Sequence, residues 1–269
     1  MTDPTVPIFV YHVILPDDTP VDSWPPGHRP YLSRRSEFNA HISWIADNGF
    51  RTRTVAEIQG LPPADAAGSA VITFDDGQLS DYETAYPALS GKGMKATFYI
   101  ATDFVGQAGY VNWQQLREMQ EHGMEIGSHS CSHCCFPDLA PADMLKELLD
   151  SRRILEDRLG SAVKSFSIPY GFACPSLIRA AAEAGYETIC TSDVALARVS
   201  DASVPAVYGR VGIRRGNGVE FLEGIMRRKA GVLGRMIVED RLKTLVKRSM
   251  GRTIWHKFRH VVLSGRGDG

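Results

Sequence analysis

Short apolar runs alternate along this chain with stretches whose apolar positions recur every three or four residues. Ile8 to His12, Val71 to Phe74, Lys95 to Ala101, the short run at Glu125-Ile126 before Gly127, Ser165 to Ile168, Glu187 to Thr191 and Arg210 to Ile213 read as strands. Between them, Phe38, Ile42 and Ile45 stand at i, i+4 and i+7, the inner stripe of a helix ending near Asn48-Gly49. Tyr82, Tyr86 and Leu89 mark a second helix ending at Gly91, and Trp113 to His122 a third stopped by Gly123. Pro141 to Leu159 is the longest, with Met144, Leu148, Ile154, Leu155 and Leu159 on or near one face; Pro175 to Ala184 opens on proline, a good first helical residue. Leu15 to Leu32, rich in proline and acidic residues around Trp24, reads as a long loop. Strand and helix alternate throughout. That pattern implies an α/β fold with parallel strands covered by helices.

Two of these strands end in chemistry. Val71-Ile72-Thr73-Phe74 runs into Asp75-Asp76-Gly77, where glycine lets the chain turn away. Alone, this also fits an exposed Asp-Asp-Gly turn. Adjacent carboxylates repel unless something positive sits beside them, and a divalent metal is the usual solution. After the strand at Glu125 come His129 and His133, four apart, a spacing that sets both imidazoles on one side of a turn. One aspartate and two histidines suit zinc and leave coordination positions for water and substrate.

At these residues the chain resembles the polysaccharide deacetylases of carbohydrate esterase family four. Thr73-Phe74-Asp75-Asp76-Gly77 matches their first motif, and His129-Ser130-Cys131-Ser132-His133 their second. The resemblance runs from about Ile8 to about Arg214 and implies a distorted (β/α) barrel of the polysaccharide deacetylase type, with the site at the strands' C-terminal ends. It implies Asp75 as general base, with Asp76, His129 and His133 holding a divalent metal, most readily Zn²⁺. The third motif commonly opens on arginine; here Phe166-Ser167-Ile168-Pro169-Tyr170-Gly171 keeps Pro-Tyr-Gly and lacks it. This departure argues against any arginine clamping Asp75. Pro169 and Tyr170 are the implied substrate-binding pair, the Tyr170 N–H facing the oxyanion. For the acid that protonates the leaving amine, Tyr11-His12 matches an N-terminal strand ending in permuted relatives, whereas Trp255-His256 is a loose match to a C-terminal motif. His12 is the expected acid and His256 its competitor. The implied reaction is metal-dependent de-N-acetylation of an N-acetylhexosamine-containing oligo- or polysaccharide, by attack of metal-bound water. Hydrolysis of another small amide or ester, or saccharide binding without catalysis, are the alternatives.

Composition changes this picture at the C-terminus. The 269 residues carry a formal net charge of −1, which gives no case for nucleic acid. Yet residues 1–224 hold 18 basic and 28 acidic side chains, and residues 225–269 hold 12 and 3. Residues 1–217 are read as the catalytic domain and 218–269 as a basic, partly amphipathic helical extension. Such a segment can lie on an anionic membrane surface, which would admit a lipid-linked substrate, or it can pack on the acidic body. Five cysteines, with Cys131, Cys134 and Cys135 crowding the histidines, form neither an even disulfide set nor paired Cys-x-x-Cys zinc knuckles. The opening Met-Thr-Asp-Pro has no basic or apolar leader, so the expected location is cytoplasmic, and contact at the membrane's inner face is the alternative that the basic tail leaves open.

Overall fold

Nine strands form one parallel sheet in the computed structural model, which describes residues 4–199, 203–229 and 231–239. They are β1 (Ile8–Tyr11), β2 (Arg51–Arg53), β3 (Ser69–Phe74), β4 (Thr97–Ile100), β5 (Glu125–Ser128), β6 (Ser165–Ser167), β7 (Thr188–Cys190), β8 (Ala206–Tyr208) and β9 (Val211–Gly212). The order across the sheet is β8-β7-β6-β5-β4-β3-β1-β9, with β2 paired to the first half of β3. The helices that accompany them among the described residues include α1 (Arg35–Asp47), α2 (Pro63–Ala67), α3 (Tyr86–Ser90), α4 (Trp113–Glu121), α5 (Pro141–Leu159), α6 (Pro175–Glu183) and α7 (Val219–Met226).

The two ends of that sheet are neighbours in the chain. Only Gly209 and Arg210 separate β8 from β9, and three Cα steps span at most roughly 11 Å. The sheet must therefore curl until its edges nearly meet. One extended segment stitches both edges, pairing first with β7 and then with β1. This is the distorted (β/α) barrel expected from the sequence.

Burial on both faces explains why the strands read as unbroken apolar runs. All six residues of β3 are buried. Ile72 and Phe74 join Phe38, Phe98 and Leu89 in the core under the helices, whereas Val71 joins Ile8, Tyr99 and Tyr208 in a second cluster on the inner face. The period of two then puts Thr73 and Asp75 on that inner side.

The apolar pattern misses two strands of this sheet, Arg51–Arg53 and Ala206–Tyr208. The first is polar and pairs along one side only; the second is three residues long. The helix around Tyr82 begins as a π-helical turn, Asp81–Ala85, before α3. The loop from Leu15 to Leu32 contains two 3₁₀ turns, and the segments flanking it, Val13–Leu15 and Leu32–Arg34, pair in parallel. Leu222, Ile225 and Met226 of α7 lie in the main core, and residues 231–239 are helical. The basic residues beyond 239, with Trp255 and His256, lie outside the described residues. Among the described residues no helix is long and apolar enough to cross a membrane.

The seam yields a prediction. A Cβ at Gly209 would stand 2.5 Å from the Asp193 carbonyl oxygen and 2.7 Å from the Ala195 Cβ. Gly209→Ala should therefore cost about 1–3 kcal/mol through overpacking, read as a lower urea midpoint. An unchanged midpoint would mean that the seam yields freely.

Candidate active site

Each motif residue stands at or just beyond a strand's C-terminal end. His12 follows β1, Asp75 and Asp76 follow β3, His129 follows β5, and Pro169-Tyr170 lie just past β6. Parallel strands bring these ends to one mouth.

Asp75 is buried and met by an arginine. Arg210 donates from Nη1 to Asp75 Oδ1 at 2.8 Å and from Nη2 to Asp75 Oδ2 at 2.7 Å. Its other donors reach Thr73 Oγ1 at 3.2 Å, Ser167 Oγ at 2.9 Å and the Thr191 carbonyl at 3.0 Å. All five N–H groups of the guanidinium are thus engaged, and it lies 5.7 Å from the Tyr99 ring centroid. Ser167 Oγ adds a third bond to Asp75, donating to Oδ2 at 3.2 Å. Burial alone would raise the Asp75 pKa; the charge of Arg210, then that of His129, outweighs it and holds the carboxyl below its ordinary value.

Asp76, His129 and His133 converge. His129 Nε2 lies 3.4 Å and His133 Nε2 3.2 Å from the same oxygen, Asp76 Oδ1. Among the described residues they form a potential metal-holding group, with ligand atoms all within 4.8 Å of one another. His129 Nδ1 lies 2.8 Å from the Ser167 carbonyl, to which only an N–H can bond. In a neutral ring that bond leaves Nε2 bare and facing a carboxylate oxygen, and two lone pairs so placed repel unless a cation lies between them. Burial would lower His129 and raise Asp76, yet Asp75 and Asp76 raise His129, while bonds to both histidines hold Asp76 well below its usual range. The donor set therefore fits a divalent metal.

The backbone is strained where it delivers these groups. Asp76 (φ 81°), Ser130 (φ 67°), His133 (φ 54°) and Tyr170 (φ 61°) all occupy the left-handed region. Tyr170 brings its hydroxyl 3.2 Å from His133 Nδ1. Pro169 behind it is buried. Gly171 has no alternative: its φ is 72°, and a Cβ would stand 2.1 Å from Ser192 Oγ.

The sequence profile of the polysaccharide deacetylase family matches residues 64–189, which contain Asp75, Asp76, His129, His133 and the Pro169-Tyr170 turn. The chain is thus similar to the polysaccharide deacetylase family over just under half of its length. YxkH of Bacillus subtilis, which bears the polysaccharide deacetylase name, is 32% identical over 162 residues, 59% of this chain and 58% of its own. The poly-β-1,6-N-acetyl-D-glucosamine N-deacetylase of Staphylococcus aureus is 26% identical over 160 residues, 52% of this chain and 54% of its own. The chain thus spans under two thirds of the length of these relatives. Among solved structures, the Streptococcus pyogenes deacetylase PplD in complex with acetate superposes with a TM-score of 0.74 at 23% identity, over 84% of this chain and 99% of that one. IcaB from Ammonifex degensii superposes with a TM-score of 0.67 at 24% identity, over 84% of this chain and 97% of that one. At these identities both likenesses speak for the fold.

Arg210 is the residue that sequence reasoning missed. The third motif lacks its arginine, but the guanidinium arrives from β8–β9, over forty residues later in the chain. Its signal was an arginine opening an otherwise apolar run, Arg210 to Ile213.

His12 stands by the same mouth. Burial lowers its pKa, and the charges of Asp76 and Asp75 raise it in part. Its Nδ1 is buried without a hydrogen-bond partner, and its ring centroid lies 5.0 Å from that of Tyr31. Asp81, on the π-helical turn, is a buried acid that the sequence reading passed over. Burial, then the charges of Asp76 and Asp75, hold its carboxyl well above the usual range. Cys131 and Cys134 are half-buried and pushed up to about 11, chiefly by burial, so they are thiols at neutral pH and do not join the metal-type group.

Because the folded Asp75 pKa lies below the unfolded value, its stabilisation is present above the unfolded carboxylate range. It is lost as pH falls through the folded value. Arg210→Met leaves that carboxylate buried and unpaired, which should cost about 3–5 kcal/mol in urea unfolding at neutral pH. The Asp75 pKa should rise, moving the acid limb of any activity profile to higher pH. A wild-type midpoint in Arg210→Met would show that the pair contributes nothing.

Proposed function

We propose that this protein is a metal-dependent N-deacetylase acting on oligo- or polysaccharides that contain N-acetylhexosamine. The observation that carries the reading is the convergence of Asp76, His129 and His133 one residue from an Asp75 clamped by Arg210. A carboxylate so clamped is ionised at neutral pH and weakly basic, so it suits a water already acidified, the chemistry a divalent metal such as zinc would supply while polarising an acyl oxygen.

Asp75 is the proposed base, taking the proton of the attacking water. Oδ1 accepts one bond and Oδ2 two, so Oδ1 has more capacity left for that proton. His12 is the proposed donor to the leaving amine, and an imidazole kept below its ordinary pKa hands over a proton readily once charged. The Tyr170 N–H is the proposed oxyanion donor. A saccharide substrate also suits the rim. Tyr31 and Tyr170 are 39% and 38% exposed, one ring against His12 and the other against His133, so aromatic surface stands on both sides of the site. The named activity of the Staphylococcus aureus relative, on poly-β-1,6-N-acetyl-D-glucosamine, supports an N-acetylated sugar. The lipid-linked form of such a substrate, met at an anionic membrane surface through the basic C-terminal residues, extends the same proposal; vesicle co-sedimentation of the full chain tests it.

Acetate release from N-acetylglucosamine oligomers should stop with a chelator and return with zinc. Chelator-resistant release would sink the metal reading. Asp75→Asn should bind metal normally while turnover falls by roughly 10²–10⁴-fold, whereas His129→Ala should lose both. Equal metal loss in the two variants would mean that the carboxylates' roles are reversed. His12→Ala should slow an amide far more than an activated ester, whose leaving group needs no proton. Equal losses would move the acid elsewhere, with His256 next to be tested.

A further inference from the structure

His133 reaches the site by a route its backbone resists. Ser130 and His133 are both left-handed, two side-chain-bearing residues in one four-residue turn. That turn is held by an acid from another element. Glu147, half-buried on α5, accepts the Cys131 N–H at 2.9 Å and the Ser132 N–H at 3.1 Å on Oε2. Its Oε1 accepts the Ser132 hydroxyl at 2.8 Å. Successive N–H groups curled round one oxygen form a nest, a concavity that ordinarily takes an anion. Here the anion is a side chain sixteen residues further along. The Cys131 thiol lies 3.7 Å from the Glu147 carbonyl oxygen, and Ser130 Oγ accepts the His133 N–H at 3.0 Å. The outcome is an imidazole nitrogen 3.2 Å from Asp76 Oδ1.

His129 depends on none of this. It follows β5 directly, its N–H bonds the Ile100 carbonyl at 2.8 Å, and its ring is tied to the Ser167 carbonyl. One histidine is fixed by the sheet; the other is fixed by a loop, and Glu147 closes that loop.

We infer that Glu147 is a positioning residue for His133, setting the site's affinity for a divalent cation without touching it. The inference rests on the proposed metal-binding reading of Asp76, His129 and His133. It separates from a purely structural role by where the loss falls. Two N–H groups released at a half-buried loop can be met by water, so the fold loses little. A metal site loses much more when one of three donors drifts, because ligand geometry depends on such outer partners.

The test is zinc binding to the metal-free full chain by titration calorimetry, with thermal unfolding of the same metal-free samples. Glu147→Ala should weaken zinc binding about 10–100-fold while the metal-free melting temperature stays near wild type. Glu147→Gln keeps an oxygen that can accept both N–H groups and should recover most of the affinity. Lys146→Ala, one residue away on the exposed face of α5, should match wild type. If Glu147→Ala does not fold, Ser132→Ala removes the Oε1 contact alone and should still weaken binding. Unchanged zinc affinity in Glu147→Ala, or in Ser132→Ala where that variant stands in, would overturn the assignment of Glu147 and leave the deacetylase reading intact. No zinc uptake by the wild-type chain would overturn the metal reading, and this inference with it.

Discussion

The ion pair between Arg210 and Asp75 is the constraint on which the rest of the structure depends. Both groups are buried, so each pays a desolvation cost that a single contact would not offset. The arrangement meets it with two parallel N–H···O bonds, a serine hydroxyl bridging both partners, and a use for every guanidinium donor. The pair also lies where the curled sheet joins itself. Asp75 directly follows β3, beside β1, and Arg210 sits between the strands that pair with β7 and β1. Closing the barrel and charging the proposed base are therefore one event. A chain that failed to bring β8 and β9 home would leave a carboxylate buried without its cation.

From that fixed centre outward, rigidity falls and strain rises. The strand interiors carry ordinary extended backbone, whereas Asp76, Ser130, His133 and Tyr170 adopt a conformation that side chains resist. Asp76, Ser130 and Tyr170 lie two or three residues beyond three different strand ends, and His133 lies five beyond the second of them. Such strain persists only where the surroundings over-determine it. Here the surroundings are specific: the Ser167 carbonyl for His129, Glu147 for the loop of His133, and the Gly171–Ser192 packing behind Tyr170. The site is built as loops on a frame, each loop tied at a point that can be named.

This division explains what could be read from residues alone. The strands of the frame were legible because burial on both faces makes them apolar throughout, as Val71 to Phe74 shows. The metal-type donors were legible because two short motifs concentrate them, and glycine or left-handed residues follow at once. Arg210 was not legible as a partner of Asp75. Their separation of 135 positions is bridged only by barrel closure, which no local pattern encodes. Arg51–Arg53 was missed for the opposite reason: its hydrogen bonds come from β3, while its own side chains stay partly in water and carry no apolar signal. Glu147 reads as one more polar position on an amphipathic helix until the loop against it is seen.

The adjacent carboxylates illustrate how one step along a chain divides chemical labour. Asp75 continues the inward parity of Val71 and Thr73, so it meets the barrel's interior and the arginine that closes it. Asp76, one residue on, would point outward to the helices if the strand continued. A φ of 81° turns it instead to the mouth, where its oxygen faces two imidazoles. Gly77 must follow at once, because its φ of 73° lies where a Cβ is disfavoured and a Cβ there would stand 3.2 Å from Ile100 Cδ1. Two identical side chains thus acquire different partners, an arginine for one and imidazoles for the other, from strand parity and a single backbone dihedral. That separation keeps the proposed base out of the metal-type donor set, and it holds before any ligand arrives.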